Sequence, residues 1–285
     1  MRNAIGIDIG GTSIRAARVN EAGDSLAHRV ASTAPTAAGV IAQIDAFVAA
    51  LRDDTCAVIG VGVPSRVNVG SGEIYEGGYV NLAGGPLSAR LANAALPVFA
   101  DNDASMALVA EARLGAGRGL ANCVLLTIGT GIGGAVWQEG RILRGARTAG
   151  QLGHIAVDSE GAPCACGRVG CLETKSSGTA LGRLIAAAGL PATARLAQLL
   201  AASDARSQSV VARWAAPLRA GIDSLVAILD PDIVILGGGL GAEACVALAR
   251  FPAVSAWFQC PVVPATLGER AGVIGAALAA LERAA

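Results

Sequence analysis

Apolar residues open the chain in two short runs separated by glycine. Ile5-Gly6-Ile7-Asp8-Ile9 reads as a strand, Gly10-Gly11-Thr12-Ser13 as a tight turn, and Ile14 to Val19 as the returning strand. A third strand is predicted near Ser25–Ser32, and apolar residues at helical spacing predict a helix over Ala37–Arg52. Ala57 to Val63 reads as a buried strand ended by Pro64. Residues 65–90 are glycine-rich and read as loop. A short strand is predicted over Pro97–Ala100. Asp103–Leu114 reads as a helix whose acidic and Asn-rich start suits a helix N-terminus.

Gly115-Ala116-Gly117-Arg118-Gly119 is the best linker, and beyond it the opening pattern starts again. Asn122 to Ile128 reads as a strand, Gly129-Thr130-Gly131-Ile132-Gly133 as a glycine turn, and Gly134 to Gln138 as its return. Helices are predicted around 178–189, 193–202 and 206–229. A strand over Asp232–Leu236 runs into Gly237-Gly238-Gly239, a last short strand falls at Val262–Ala265, and a closing helix at Gly272–Arg283. Hairpins followed by strand–helix alternation in both halves predict an α/β protein of two domains facing a cleft.

Composition narrows the function. At 285 residues the chain can bury a sizeable core. Its 22 basic and 22 acidic side chains give no footprint for nucleic acid. Aromatics are 3%, too few for a stacked-ring platform. Lys175 is the only lysine. No signal-peptide layout precedes Ile5, and the longest uncharged stretch, 120–138, is broken by glycines, so no membrane span is expected. Seven cysteines without a secretory signal point to reduced thiols and a cytoplasmic protein. Cys56, Cys123, Cys245 and Cys260, in apolar surroundings, are expected to be buried small hydrophobes.

Three clusters carry chemistry. His154, Cys164, Cys166 and Cys171 offer three thiolates and an imidazole, the donor set of a closed, structural Zn²⁺ site; the competing reading is incidental cysteines on a loop, with or without a disulfide. Asp8, Gly10, Gly11 and Thr12 form a turn whose backbone N–H groups can approach a phosphate, with Asp8 able to hold Mg²⁺ directly or through water. Thr130, Gly131 and Gly133 supply a second such turn, and a pair of them can clamp one triphosphate. Alone, each turn is equally an ordinary hairpin. Neither is a Walker loop or a dinucleotide fingerprint. Asp101-Asn102-Asp103 ends a strand where open α/β sheets bind ligands, and the same residues are good helix caps.

These motifs, together with Gly153-His154, Cys164-x-Cys166-Gly-x-x-Gly-Cys171-Leu-Glu173 and Gly237-Gly-Gly239, resemble the ROK family (repressor, open reading frame, kinase), in family order from residue 5 to about 277. The resemblance implies a two-domain, actin-like ATPase (ribonuclease H-like) fold. Residues 1–116 and a returning C-terminal helix, 268–285, would make the small domain, and 117–267 the large one. Hinges would lie near Gly115–Gly119 and before the final helix. It implies an ATP-dependent kinase acting on a hydroxyl, O6, of a hexose or N-acetylhexosamine such as glucose, fructose or N-acetylmannosamine, with Mg²⁺ accompanying ATP and a homodimer or homotetramer as the assembly. By position, Asp103 would be the catalytic base and Asn102 a sugar ligand. His154 would ligate zinc and support a sugar hydroxyl, while Ser65, Arg66, Asn81 and Glu173 would complete the sugar pocket. Gly237, Gly238 and Gly239 would pass beneath the adenosine.

Three positions depart from the family pattern: Gln151 replaces the usual Glu of Glu-x-Gly-His, Ser13 replaces a frequent Lys, and Ser105 a frequent Asn. Gln151 still bonds a hydroxyl or an N-acetyl group but brings no charge, which opens the choice of sugar. Two other functions compete: a sugar-binding protein with little kinase activity, and the family's sugar-responsive transcription regulators. The latter need an N-terminal helix-turn-helix, whereas here the phosphate hairpin begins at residue 5.

Overall fold

The fold is that of a computed structural model, in which residues 2–75, 77–78, 80–91, 95–145 and 149–284 are described. The chain divides into two compact units. Unit 1 comprises residues 1–119, 141–149 and 267–285, and unit 2 comprises 120–140 and 150–266.

Unit 1 begins with β1 (Asn3–Ile9), β2 (Ser13–Asn20) and β3 (Ser25–Ser32), followed by α1 (Ala37–Leu51) and β4 (Cys56–Val63). Val40, Ile44, Val48 and Leu51 recur at helical spacing and form the buried stripe of α1, which Thr36 caps by accepting the Gly39 N–H. Two short strands, β5 (Val67–Asn68) and β6 (Glu73–Ile74), pair within the loop-rich stretch. β7 (Val98–Asn102) then leads directly into α2 (Asp103–Leu114). The sheet runs β3-β2-β1-β4-β7, with β1, β4 and β7 parallel. Apart from Asn3 and Asp8 of β1 and Asp101 and Asn102 of β7, the parallel strands are apolar, as suits a sheet covered on both faces.

Unit 2 repeats the opening with β8 (Cys123–Ile128) and β9 (Ile132–Gln138). The short β10 (Arg141–Ile142) lies in the segment grouped with unit 1, although the sequence boundaries placed 141–149 with the second domain. Next come α3 (Leu172–Ser176), α4 (Gly178–Ala187), α5 (Leu196–Ala201) and the long α6 (Ala205–Leu229), then β11 (Ile233–Gly237), α7 (Gly241–Leu248) and β12 (Val262–Pro264). Strands β9-β8-β11-β12 are neighbours in that order. The core of this unit gathers around Trp214, which is fully buried and donates its indole N–H to the Ser177 carbonyl at 3.0 Å.

The chain returns to unit 1 as α8 (Ala271–Arg283), which packs on β1, β4 and α2. The expected short helices differ: α3 and α7 have no counterpart in the predicted pattern. Cys56 and Cys123 are buried as expected, whereas Cys245 and Cys260 are only half-buried. Among the described residues no helix is long and apolar enough to cross a membrane.

Candidate active site

In unit 1 the candidate residues collect at the C-terminal ends of three parallel strands. Asp8 of β1 is level with Gly62 of β4, which is level with Asp101 of β7. Gly62 has no side chain to separate its neighbours: a Cβ there would lie 3.4 Å from the Asp103 Cα and 3.5 Å from an Asp8 carboxylate oxygen. On its other side Asp8 meets α8, where a Cβ on Gly272 would stand 2.5 Å from the Asp8 Cγ. Two carboxylates are thus drawn together by glycines.

Burial pushes the Asp103 carboxyl up to about 7, and the Asp8 charge adds to the rise; the N–H of Ala104 and the Asn102 side chain oppose it. Burial likewise pushes Asp8 up to about 6, against the pull of the Arg15 guanidinium. Asp103 Oδ1 accepts the Ala104 N–H at 2.8 Å at the start of α2.

Asn102 is the N-cap of α2. Its Oδ1 accepts from Ala104 and Ser105, and its Nδ2 donates to the Ser65 carbonyl at 3.2 Å. The Ser65 hydroxyl donates to the Tyr75 carbonyl at 2.6 Å, and the Arg66 guanidinium lies 5.6 Å from the Tyr75 ring centre. Ser65, Arg66 and Asn102 therefore form one network. Asn81 stays outside it: exposed, its carboxamide oxygen accepts the Ala83 N–H in a local turn. Asp101, passed over as a site residue, is buried and receives Arg144 Nη2 at 2.6 Å.

The first glycine turn closes between Ile9 and Ile14, with Gly10 N–H donating to the Ser13 carbonyl at 3.0 Å and Gly11 and Thr12 exposed. Thr33 secures it by donating its hydroxyl to the Gly10 carbonyl at 2.7 Å.

In unit 2 the second turn is tighter than the sequence implied. Ile128 pairs with Ile132, so the turn is Gly129-Thr130-Gly131 and Gly133 lies within β9, opposite Thr127. The start of α4 braces this turn: Gly178 N–H donates to the Gly129 carbonyl at 2.8 Å, and the Thr179 hydroxyl to that of Thr130 at 2.8 Å. Gly238, with φ of +77°, crosses over Ile128, whose carbonyl oxygen would be 2.5 Å from any Cβ; only glycine fits. Gly237 ends β11 beside it, and Gly239 faces open space.

Ile132 is also where the other sugar candidates of unit 2 converge. Glu173 Oε2 accepts the Ile132 N–H at 2.8 Å, and Gly153 presses so closely on the Ile132 carbonyl that a Cβ would collide with it. Gly153 belongs to the 3-10 turn Leu152–His154, which Gln151 precedes. Gln151, His154 and Glu173 are in this way tied to the base of the second glycine turn.

His154, Cys164, Cys166 and Cys171 bring their four ligand atoms within 4.8 Å of one another. His154 Nδ1 is 3.5 Å from Cys164 Sγ, and Cys166 Sγ is 3.6 Å from Cys171 Sγ. A tetrahedral ion with bonds of about 2.3 Å to sulfur and about 2.0 Å to nitrogen needs edges of roughly 3.6–3.8 Å. The donor set and spacing fit zinc. The loop is shaped for it by Gly167 and Gly170, both at positive φ, and by Lys175 Nζ, which lies 2.5 Å from Asp158 Oδ2.

Two α/β units, each opening on a glycine hairpin, define the actin-like ATPase fold. Solved structures agree: the ROK hexokinase from Thermus thermophilus is 32% identical, with a TM-score of 0.83 over 99% of this chain and 98% of that one. A ROK family glucokinase from Streptomyces griseus, solved with glucose and AMPPNP, is 29% identical with a TM-score of 0.82 over 98% and 99%. The ROK family model matches residues 4–283, and the chain belongs to that family. Among curated relatives, a glucokinase of Halalkalibacterium halodurans is 32% identical over 95% of this chain and 92% of its own length. An N-acetylmannosamine kinase of Yersinia pseudotuberculosis is 31% identical over 98% of both.

Proposed function

We propose that this protein is an ATP-dependent sugar kinase that transfers the γ-phosphoryl group of Mg·ATP to a hydroxyl, O6, of a hexose or N-acetylhexosamine. The observation that carries the proposal is the Asp103 carboxyl, half-buried at the start of α2 and raised to about 7. A base with that affinity is poised to take a proton from an attacking alcohol near neutral pH. Phosphoryl transfer otherwise needs positioning and charge neutralisation more than covalent help. Relatives named as glucokinases and N-acetylmannosamine kinases support the same class.

In this reading Gly11, Thr12, Thr130 and Gly131 present backbone N–H groups and hydroxyls to the phosphates, Gly10 closes the first turn beneath them by its bond to Ser13, and Gly237–Gly239 line the adenosine. Asp8 would hold the Mg²⁺ that accompanies ATP and neutralises phosphate charge. Asp103, Asn102, Ser65, Arg66, Asn81, Gln151, His154 and Glu173 receive the sugar. Because the Asn102 side chain already caps α2 and bonds Ser65, its role is to set the Ser65–Asp103 frame as much as to touch the sugar. His154, Cys164, Cys166 and Cys171 would hold zinc, which supplies a cross-link fixing the loop between His154 and Glu173. Gln151 offers both a donor and an acceptor without charge, so N-acetylmannosamine belongs beside glucose and fructose among the substrates to test.

The deciding experiment measures ADP release with a panel of hexoses and N-acetylhexosamines and identifies the phosphorylated product. Sugars that bind without releasing ADP would replace the kinase by a sugar-binding protein.

A further inference from the structure

Glu111 lies on α2 two turns beyond Asp103 and is 0% exposed. Its carboxylate is divided between two remote stretches of backbone. Oε2 accepts the Ala116 N–H and Oε1 the Leu267 N–H, each at 2.8 Å. Its own carbonyl accepts the N–H groups of Gly115 and Gly117, both at 3.0 Å. These are two of the four places where the chain crosses between units: unit 1 runs to Gly119, and its last segment resumes at Leu267, while the other two crossings flank residues 141–149.

We infer that Glu111 is a positioning residue for the reaction, because its carboxylate binds both crossings to the helix that begins at Asp103. The inference rests on the proposed role of Asp103 as base. Burying a carboxylate is costly, and an apolar side chain would serve a helix that needed only packing. The position requires an acceptor on both sides. An ionised carboxylate is acceptor-only, whereas an amide has one oxygen and one NH₂ and would set a donor against one of the two N–H groups. With Glu111 in place, a displacement of either crossing reaches the base-bearing helix together with the other. Without it the two crossings move independently, and Asp103 is no longer held to one geometry.

The test compares Glu111→Gln with Val48→Ala, a core truncation in α1, in the intact protein. Three quantities are read: melting temperature, hydrogen exchange of peptides covering 115–119 and 266–270, and kcat and KM with the sugar the wild type accepts. Glu111→Gln is expected to speed exchange by about tenfold at the crossing that its NH₂ group faces, as loss of a hydrogen bond to a carboxylate should. It should also lower kcat by about tenfold, with sugar KM within about twofold, as misalignment without loss of binding predicts. Val48→Ala should lower the melting temperature and leave both crossings and kcat as in the wild type. The inference is overturned if kcat falls no further in Glu111→Gln than in Val48→Ala, or if both crossings keep their wild-type exchange. Glu111→Asp, which withdraws the carboxylate by one methylene, serves the same comparison if the Gln variant does not fold. A wild type that phosphorylates no sugar would refute the kinase reading. The inference would then stand only if Mg·AMPPNP slows exchange at both crossings together in the wild type and not in Glu111→Gln.

Discussion

The Glu173 carboxylate accepts the backbone N–H of Ile132 at 2.8 Å, joining residues 41 apart in sequence. The residue just beyond the last zinc-type ligand thereby supports the second glycine turn, so sugar and nucleotide candidates share one side chain. Glu173→Ala is expected to raise KM for ATP by about tenfold as well as KM for the sugar, in keeping with a lost charged hydrogen bond of roughly 1.5–3 kcal/mol. Steady-state kinetics with each substrate varied in turn checks this. A rise confined to the sugar would show that the contact has no part in holding the nucleotide.

Asp103→Asn should keep the fold, because Asn is a good residue at a helix start and can still accept the Ala104 N–H. Turnover should fall by about 10²–10⁴ while the sugar dissociation constant stays near normal. Calorimetry beside kinetics separates the two, and near-full turnover would remove Asp103 as the base.

The pH dependence follows from the two raised carboxyls. If Asp103 is the base, it is protonated below about 7, and kcat/KM should fall about tenfold per pH unit on the acid side. Asp8→Asn removes the neighbouring charge, and the acid limb should move to lower pH even if activity drops. Stability runs the other way. Both groups lie above their ordinary 3.8 when folded, so the native state binds protons that the unfolded chain has released. Their contribution is full below about pH 4 and is lost as pH rises through about 6 to 7. Asp103→Asn should therefore melt higher than the wild type at pH 8, measured by calorimetry across pH 4 to 8.

One zinc per chain is expected by elemental analysis. Chelation should expose the three thiols of Cys164, Cys166 and Cys171 to a thiol reagent and raise the sugar KM, or unfold the loop. A fully active protein without zinc would refute the metal's role in shaping the sugar site.

Much of this was legible in sequence because it is local. The α1 stripe, the Asn102 cap and the strand–turn–strand repeat all lie within a few residues of their partners, where periodicity and capping chemistry speak directly. The zinc-type cluster was legible for the same reason: its ligands fall within 18 residues, a span that one loop can close. Two short helices escaped because α3, with five residues, and α7, with eight, are too brief to display a period. Gly133 was misplaced because glycine marks turns and close approaches alike, and only the Ile128–Ile132 pairing tells them apart. The contacts of Glu173 with Ile132, Arg144 with Asp101 and Glu111 with Leu267 span 41, 43 and 156 residues. A buried acid on a helix looks in sequence like any solvated one.

The lone lysine has a practical consequence. Lys175 borders the metal-ligand loop through its bond to Asp158, so an amine-directed fluorophore would land there and at the amino terminus alone. A dye held there offers a built-in gauge of that segment that needs no engineered cysteine.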